Sequence, residues 1–127
     1  MVNGLINIKD ETGEFILRLG DGRVMDTKGW HDWEWAHGVG LYSIWQYYQP
    51  TGDESCSEII EDWFRDRFAA GGTTRNGNTT AVFLTLAHVS EKSSNPTCLP
   101  WLDGWAAWAY REQLWDDTLM MAVVPLV

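Results

Sequence analysis

The chain has 127 residues, nine of them tryptophan, and carries 18 Asp and Glu against 9 Lys and Arg, a formal net charge of −9. The length is that of one domain with room for a buried core. The acidic balance argues against nucleic acid or an anionic membrane as a partner, because both need a positive surface, and no run approaches the ~20 apolar residues of a membrane span.

The two cysteines, Cys56 and Cys98, show neither metal-ligand spacing nor a disulfide framework. We therefore expect no metal and no cofactor, and we expect both thiols to act as small apolar fillers. Residues 1–15 contain neither a basic segment nor a long apolar stretch, so no signal peptide is predicted. The chain is expected in the cytoplasm.

Residues 1–34 form an N-terminal segment whose structure the pattern leaves open. Residues 5–19, LINIKDETGEFILRL, alternate loosely around the polar stretch DETGE. This alternation suits a β-hairpin, although the early part could equally be the end of a helix. We predict a short irregular or hairpin segment ahead of the helical part of the chain.

Two helices of different character are predicted next. Residues 36–49, AHGVGLYSIWQYYQ, are apolar on nearly all sides at helical length, and Pro50 is expected to stop the helix. Ser55 and Glu58 then fit a capping box. Apolar side chains follow at three- and four-residue spacing, which predicts an amphipathic helix closed by a Gly-Gly pair.

The rest of the sequence repeats this alternation. Thr79 or Thr80 opens TTAVFLTLAHV, which is again apolar all round. Asn95-Pro96 supplies a cap and a first-turn proline for an amphipathic helix over PTCLPWLDGWAAWAYRE. Residues 118–127, TLMMAVVPLV, are apolar once more. Alternating buried and amphipathic helices indicate the inner and outer helices of a double ring, or of an arc of one.

An internal repeat supports this architecture, because a shift of 42 residues lays the sequence on itself. The matched pairs are Leu41 with Phe83, Thr51 with Ser93, Asp53 with Asn95, Cys56 with Cys98, Ile60 with Leu102 and Trp63 with Trp105. Each unit is a helical hairpin that cannot cover its own apolar face, so hairpins must stack side by side. A plain solenoid would instead show two similarly amphipathic helices in each repeat.

The same register places three polar residues ahead of three inner helices. Glu34 falls opposite Asn76 at a shift of 42, and Asn76 falls opposite Asp117 at a shift of 41, which aligns AVFL with AVVP. In a ring of parallel inner helices these residues would converge on one mouth. Three tryptophans accompany them: Trp33, Trp35 and Trp115. Polar groups ringed by tryptophan suit a saccharide, which needs stacking for its ring faces and hydrogen bonds for its hydroxyls.

Each of these residues also has a purely structural interpretation. Asp117 directly before TLMMAVV would cap a helix, and Asn76 and Asn78 in TTRNGNTT would be turn residues. His37 in WEWAHG would be a packed or hydrogen-bonded histidine. Four tryptophans at helical spacing are expected in the core: Trp63, Trp101, Trp105 and Trp108.

Four stretches together resemble glycoside hydrolase family 105, the unsaturated rhamnogalacturonyl and unsaturated glucuronyl hydrolases. They are WHDWEWAHGVGLYSIWQYYQPTGDE, IIEDWFRDRFAAG, NGNTTAVFLTLA and QLWDDTLMM. The resemblance spans residues 1–127 and implies an all-α fold that is part of an (α/α)6 toroid. The chain would be a single incomplete domain with about five helices of that ring, its inner and outer helices alternating over residues 35–127.

The resemblance implies a hydrolase that removes a 4,5-unsaturated uronic acid from the end of oligosaccharides derived from pectin or rhamnogalacturonan. One aspartate protonates the vinyl ether carbon and then helps water add across the double bond, acting first as acid and then as base. The W-x-D motif of the family is Trp115-Asp116-Asp117 here. Asp117 is therefore the implied catalyst, and Trp115 and Asp116 are its substrate-binding neighbours.

The resemblance also implies further contacts with the sugar. Asn76 and Asn78 match a region with a second polar residue, often Asp in the family, and Trp35 and His37 match the sugar-contacting start of an inner helix. A full toroid has six hairpins, so we expect a truncated or shortened form whose open inner helices self-associate. A helical-repeat interaction module and a non-catalytic saccharide-binding relic are the alternatives.

Overall fold

The computed structural model describes residues 2–20, 22–93 and 96–111. Within these ranges the chain is helical apart from one two-stranded sheet. The elements are α1 (Val2–Ile6), β1 (Ile16–Arg18), β2 (Val24–Asp26), α2 (Trp35–Thr51), α3 (Glu54–Ala69), α4 (Gly77–Thr80), α5 (Phe83–Ser93) and α6 (Leu99–Ala109). In this described part, no helix has both the length and the apolarity to cross a membrane.

The N-terminal hairpin lies later in the chain than the alternation suggested. β1 and β2 pair antiparallel with Leu17 opposite Met25, so DETGE precedes the first strand and does not form the turn of the hairpin. The DETGE stretch instead folds around Asp10, whose carboxylate accepts hydrogen bonds of 3.0 Å from the backbone N–H groups of Thr12 and Phe15. The early residues form the short helix α1, which was the alternative interpretation.

The first long helix begins as expected and ends slightly later. α2 runs through Pro50 to Thr51, so the prediction that Pro50 stops the helix is wrong, and the helix ends two residues later than expected. The helix ends at Gly52, which adopts a left-handed conformation with φ of 64°. Its N–H donates a 2.8 Å hydrogen bond to the carbonyl of Tyr48. The positive φ of a glycine therefore ends α2.

The amphipathic helix α3 has a different N-cap from the one predicted. Asp53, and not Ser55, is the cap residue, because its Oδ1 accepts hydrogen bonds from the backbone N–H (3.2 Å) and the hydroxyl (2.7 Å) of Ser55. The predicted Gly-Gly ending is confirmed. Gly71 and Gly72 have φ of 89° and 71°, and the N–H of Gly72 donates to the carbonyl of Arg67 at 2.8 Å.

The second apolar helix is interrupted, and the second amphipathic helix starts late. α4 and α5 are separated at Ala81 and Val82, where one continuous helix was expected. α6 starts at Leu99 and not at Pro96, so Pro100 lies in the first turn, where its missing N–H leaves no hydrogen bond unmade. The last predicted helix, over residues 118–127, lies outside the described residues.

Two helical hairpins pack side by side, as the repeat predicts. α2 packs against α3 within the first hairpin, α5 packs against α6 within the second, and α2 contacts both α4 and α5. Matched positions are buried alike: Cys56 is 1% and Cys98 6% exposed, and Trp63 and Trp105 are each 4% exposed. Burial raises the pKa of both thiols, which suits their predicted role as neutral apolar fillers.

Candidate functional site

The first inner helix begins at a capping box built by Glu34. Glu34 has an extended backbone (φ −142°, ψ 173°), and its carboxylate accepts a hydrogen bond from the backbone N–H of Trp35 at 3.2 Å. In return, Nδ1 of His37 accepts a 2.9 Å hydrogen bond from the N–H of Glu34. The cap thus satisfies helix-terminal donors that would otherwise lack partners.

The second inner helix begins in the same way. Asn76 is also extended (φ −156°, ψ 176°), and its side-chain oxygen accepts a hydrogen bond from the N–H of Thr79 at 3.2 Å. The hydroxyl of Thr79 accepts one from the N–H of Asn76 at 3.0 Å. A shift of 42 residues therefore carries Glu34 onto Asn76 and its partner His37 onto Thr79. The structure confirms that Glu34 and Asn76 occupy equivalent positions.

Two contacts hold these helix starts side by side. The indole N–H of Trp33 donates a 2.8 Å hydrogen bond to the carbonyl of Thr79. Gly38 in the first turn of α2 lies so close to Ala81 that an added Cβ would be 2.5 Å from the Ala81 carbonyl carbon. The absence of a side chain at Gly38 thus allows the two inner helices to approach at the end where Glu34 and Asn76 lie.

His37 is engaged by backbone on both sides of its ring. It is 4% exposed, and its Nε2 lies 2.6 Å from the carbonyl oxygen of Gly29. Because Nδ1 accepts from Glu34, Nε2 carries the proton and donates to Gly29. This is the hydrogen-bonded histidine of the structural interpretation. Neither ring nitrogen is left to bond a sugar in this arrangement, and a direct substrate contact by His37 stays a prediction.

Trp35 and Asn78 are accessible at this end of the molecule. Trp35 is 53% exposed, so about half of its surface is open to solvent and free to contact another molecule. Asn78 is exposed as well, and the structure gives its backbone carbonyl a weak hydrogen bond from Ala81 at 3.4 Å. The predicted site residues Trp115, Asp116 and Asp117 lie outside the described residues.

Trp33 belongs to the core and not to the sugar-stacking surface expected for it. It is 2% exposed, and it lies at the centre of an aromatic cluster. Its ring contacts those of Trp63, Phe68, Phe83, Trp101 and Trp105 at centroid distances of 5.5 to 6.4 Å. The cluster holds Trp33 in place directly before the cap residue Glu34, so Trp33 positions the start of α2.

Arg75 is a residue that the sequence analysis overlooked, although it directly precedes Asn76. Its guanidinium lies over the ring of Trp105, 5.8 Å from the ring centre. It fills the space above Gly104, where an added Cβ would be 3.0 Å from Nη2. In the described ranges, no group of three His, Cys, Asp or Glu side chains could hold a metal ion.

Stacked helical hairpins whose inner helices start at one capped, tryptophan-rich end are the architecture of an (α/α) toroid glycosidase. The sequence profile of Glycosyl Hydrolase Family 88 matches residues 7–127, and the chain belongs to that family of glycoside hydrolases. A comparison with curated proteins gave no match.

Two crystal structures described as possible members of the GH105 family are similar over nearly the whole chain. The protein from Salmonella enterica subsp. enterica serovar Paratyphi A shares 56% identity with a TM-score of 0.91. The protein from Klebsiella pneumoniae subsp. pneumoniae shares 54% with a TM-score of 0.90. Each alignment covers 98% of this chain and 38% of the relative. The chain is part of an (α/α)6 toroid, and it spans well under half the length of these relatives.

Proposed function

We propose that the mouth formed by the starts of the inner helices binds the unsaturated uronic acid at the end of oligosaccharides derived from pectin or rhamnogalacturonan. The observation that carries the proposal is the equivalence of Glu34 and Asn76, two polar caps held side by side by Trp33 and Gly38. The repeat assigns Asp117 to the third such position. Membership of a glycoside hydrolase family supports the same assignment.

In the proposed reaction, Asp117 serves as both acid and base. Its carboxylic acid donates a proton to C4 of the C4=C5 double bond, and the ring oxygen stabilises the positive charge that develops at C5. Water then adds to C5 while the carboxylate takes its proton, which restores the acid. The resulting hemiketal opens by cleavage of the bond between C5 and the ring oxygen, which gives a ketone at C5 and a hemiacetal at C1. The hemiacetal then collapses to an aldehyde and releases the remaining oligosaccharide as an alcohol. One water is consumed, and no glycosyl-enzyme bond forms, in contrast to retaining glycosidases with two carboxylates.

The other predicted residues would hold the sugar. The exposed face of Trp35 suits stacking against a pyranose ring. The side-chain oxygen of Asn76 is used by the helix cap, which leaves the amide N–H₂ group to donate to a hydroxyl. Asp116 and Trp115 adjoin Asp117 in sequence, and we assign them to substrate contacts on that basis.

The test follows the ultraviolet absorbance of an unsaturated galacturonyl-rhamnose disaccharide, which disappears when the double bond is hydrated. We expect the chain to consume the absorbance and Asp117→Asn to abolish the loss. Asp66→Asn is the matched control, because it removes one negative charge from an exposed position on α3, outside the proposed mouth, and should retain the turnover. Full activity in Asp117→Asn would show that Asp117 is not the catalyst. Equal loss in both variants would show that the loss is not specific to Asp117.

A saccharide-binding protein without turnover is the second candidate. The exposed indole of Trp35 and the amide N–H₂ group of Asn76 favour it, because both can contact a sugar and neither can transfer a proton. Saturable binding of the disaccharide with no loss of absorbance would identify this function. A peptide-binding repeat module is disfavoured, since α2 contains no Asp, Glu, Lys or Arg in its 17 residues and a peptide-reading helix would present polar side chains.

A further inference from the structure

The proposed substrate carries a carboxylate, so a chain with a net charge of −9 needs a local cation to bind it. All nine lysines and arginines lie among the described residues. They are Lys9, Arg18, Arg23, Lys28, Arg65, Arg67, Arg75, Lys92 and Arg111.

Four of the cations outside the N-terminal segment have other partners. Arg65 pairs with Asp62 at 2.6 Å and approaches Asp66 at 3.8 Å. Lys92 pairs with Glu54 at 3.0 Å near the far end of α5. The remaining two donate to main-chain carbonyls, Arg67 to that of His31 and Arg111 to that of Ala107. A further four cations belong to residues 1–34, ahead of the first inner helix.

Arg75 differs from these eight in its position and its contacts. It directly precedes the cap residue Asn76, just as Trp33 precedes the cap residue Glu34. Both residues meet on one platform: the Trp33 ring stacks with Trp105 at 6.1 Å and 11°, and the Arg75 guanidinium lies over the same Trp105 ring at 5.8 Å. Arg75 is thereby placed beside the helix starts that form the proposed mouth.

The guanidinium of Arg75 is available for an anion. Among the described residues the structure gives it no ion pair, and its contact is with the face of an aromatic ring. A guanidinium over a ring keeps its N–H groups at its edge, where they can donate two parallel hydrogen bonds to a carboxylate. Its side chain is also held in place, because it fills the notch above Gly104.

We propose that Arg75 binds the carboxylate of the uronic acid and makes the site specific for the acid over its ester. This inference rests on the proposed function, because it takes an unsaturated uronide as the ligand. The Trp105 platform fixes the guanidinium, and Gly104 provides the room for it. Arg75 is thus a specificity-determining residue and takes no part in proton transfer.

The test compares equilibrium binding of the unsaturated galacturonyl-rhamnose disaccharide with that of its carboxyl methyl ester. Asp117→Asn serves as the background, so that neither ligand is consumed. The background variant, which we call the parent in this test, should prefer the acid. Adding Arg75→Gln should weaken binding of the acid about 10- to 100-fold, with ester binding little changed. Arg75→Lys should recover part of the preference. Arg65→Gln is the matched control and should keep it, because that guanidinium is already paired.

Three further outcomes separate this proposal from the proposed function. If the parent prefers the acid and Arg75→Gln retains the full preference, Arg75 is not the carboxylate ligand, and the uronide function stands. If the parent binds both ligands equally well, the role of Arg75 fails and the uronide function stands. If the parent binds neither ligand, the proposed function and the role of Arg75 both fail. Gly104→Ala gives an independent check, since a Cβ there displaces the guanidinium without removing its charge and should weaken the acid preference.

Discussion

The indole Nε1 of Trp33 donates a 2.8 Å hydrogen bond to the carbonyl oxygen of Thr79, across 46 positions of sequence. Thr79 is the residue that closes the capping box of Asn76, and Trp33 is the neighbour of Glu34. The bond therefore connects the two caps directly. It satisfies a buried carbonyl that the four-residue helix α4 is too short to pair internally. The geometry of the mouth depends on this one buried tryptophan.

Replacing Trp33 with alanine should destabilise the fold strongly. The substitution empties the centre of the aromatic cluster and leaves the Thr79 carbonyl without its donor, and we expect a loss of about 3–5 kcal/mol in the free energy of unfolding. Trp35→Ala is the matched control, because Trp35 is 53% exposed and its removal should change stability by about 0.5 kcal/mol or less. Urea unfolding followed by circular dichroism measures both. Equal losses in the two variants would contradict the assignment of Trp33 to the core.

The close approach at Gly38 makes a second prediction. A Cβ at this position would lie 2.6 Å from the Cβ of Ala81 and 2.5 Å from its carbonyl carbon, so Gly38→Ala forces α2 away from the start of the second inner helix. We expect a cost of about 1–3 kcal/mol in spite of the better helix propensity of alanine, together with weaker disaccharide binding.

Gly4→Ala is the control for Gly38→Ala. Gly4 also lies in a helix, α1, but nothing stands within 4 Å of its added Cβ. This substitution should be neutral or stabilising by about 0.5–1 kcal/mol, because alanine loses less backbone freedom on folding. A neutral Gly38→Ala in the same unfolding measurement would show that the two helix starts can separate without cost.

The repeat made the positions of the caps predictable. A shift of 42 residues aligns apolar and polar positions alike, and the structure gives Glu34 and Asn76 the same extended backbone and the same type of cap. The equal burial of Trp63 and Trp105 follows from the same spacing. Side-by-side hairpins must present equivalent faces to one another, so a repeat in sequence becomes a repeat in burial.

The cap residue of α3 and the roles of single side chains near the helix starts were less predictable from the sequence. Asp53 and Ser55 both have side chains that can cap a helix. Which of them caps α3 depends on where the turn after α2 ends, and the structure shows that it is Asp53. The roles of Trp33 and His37 depended on tertiary contacts with residues far away in sequence, Thr79 for the one and Gly29 for the other. Sequence shows that an aromatic side chain stands beside a cap, but only packing determines which of Trp33 and Trp35 is buried.

The ion pair between Lys92 and Glu54 predicts a pH dependence of stability. The hydrogen bond from Lys92, followed by that from Tyr48, lowers the pKa of Glu54 from its ordinary value of 4.5. A lowered pKa in the folded chain means that the stabilisation is present above pH 4.5 and is lost as the pH falls through the folded pKa. The interactions with Tyr48 and then Glu54 raise the pKa of Lys92 above 10.5, so its contribution is lost only in strong alkali.

Glu54→Gln should therefore be less stable than the parent at neutral pH, and the difference should shrink as the pH falls below 4.5. Both side chains are exposed at the surface, so we expect a small effect that salt weakens further. Urea midpoints at a series of pH values measure it, with Glu58→Gln, one turn later on α3, as the control. A difference that stays constant down to strong acid would show that the ion pair does not stabilise the fold.

The face of α2 that carries Trp35, Val39 and Tyr47 bears on the predicted self-association. These residues are 53%, 55% and 41% exposed, and Trp35 and Val39 stand one turn apart on one side of a helix that lacks charged residues. An exposed apolar stripe on a helix without charged residues favours association. We expect the chain to form oligomers whose light-scattering mass rises with concentration, and we expect Val39→Glu to lower that mass, because association would then bury a charge.

Leu99→Glu is the matched control for this prediction. Leu99 is 53% exposed, close to the 55% of Val39, but it opens the outer helix α6. If the stripe on α2 mediates the association, Val39→Glu lowers the mass and Leu99→Glu leaves it unchanged. A parent chain that remains a monomer at all concentrations would overturn the prediction, and an equal response of the two variants would place the contact elsewhere than on the inner helix.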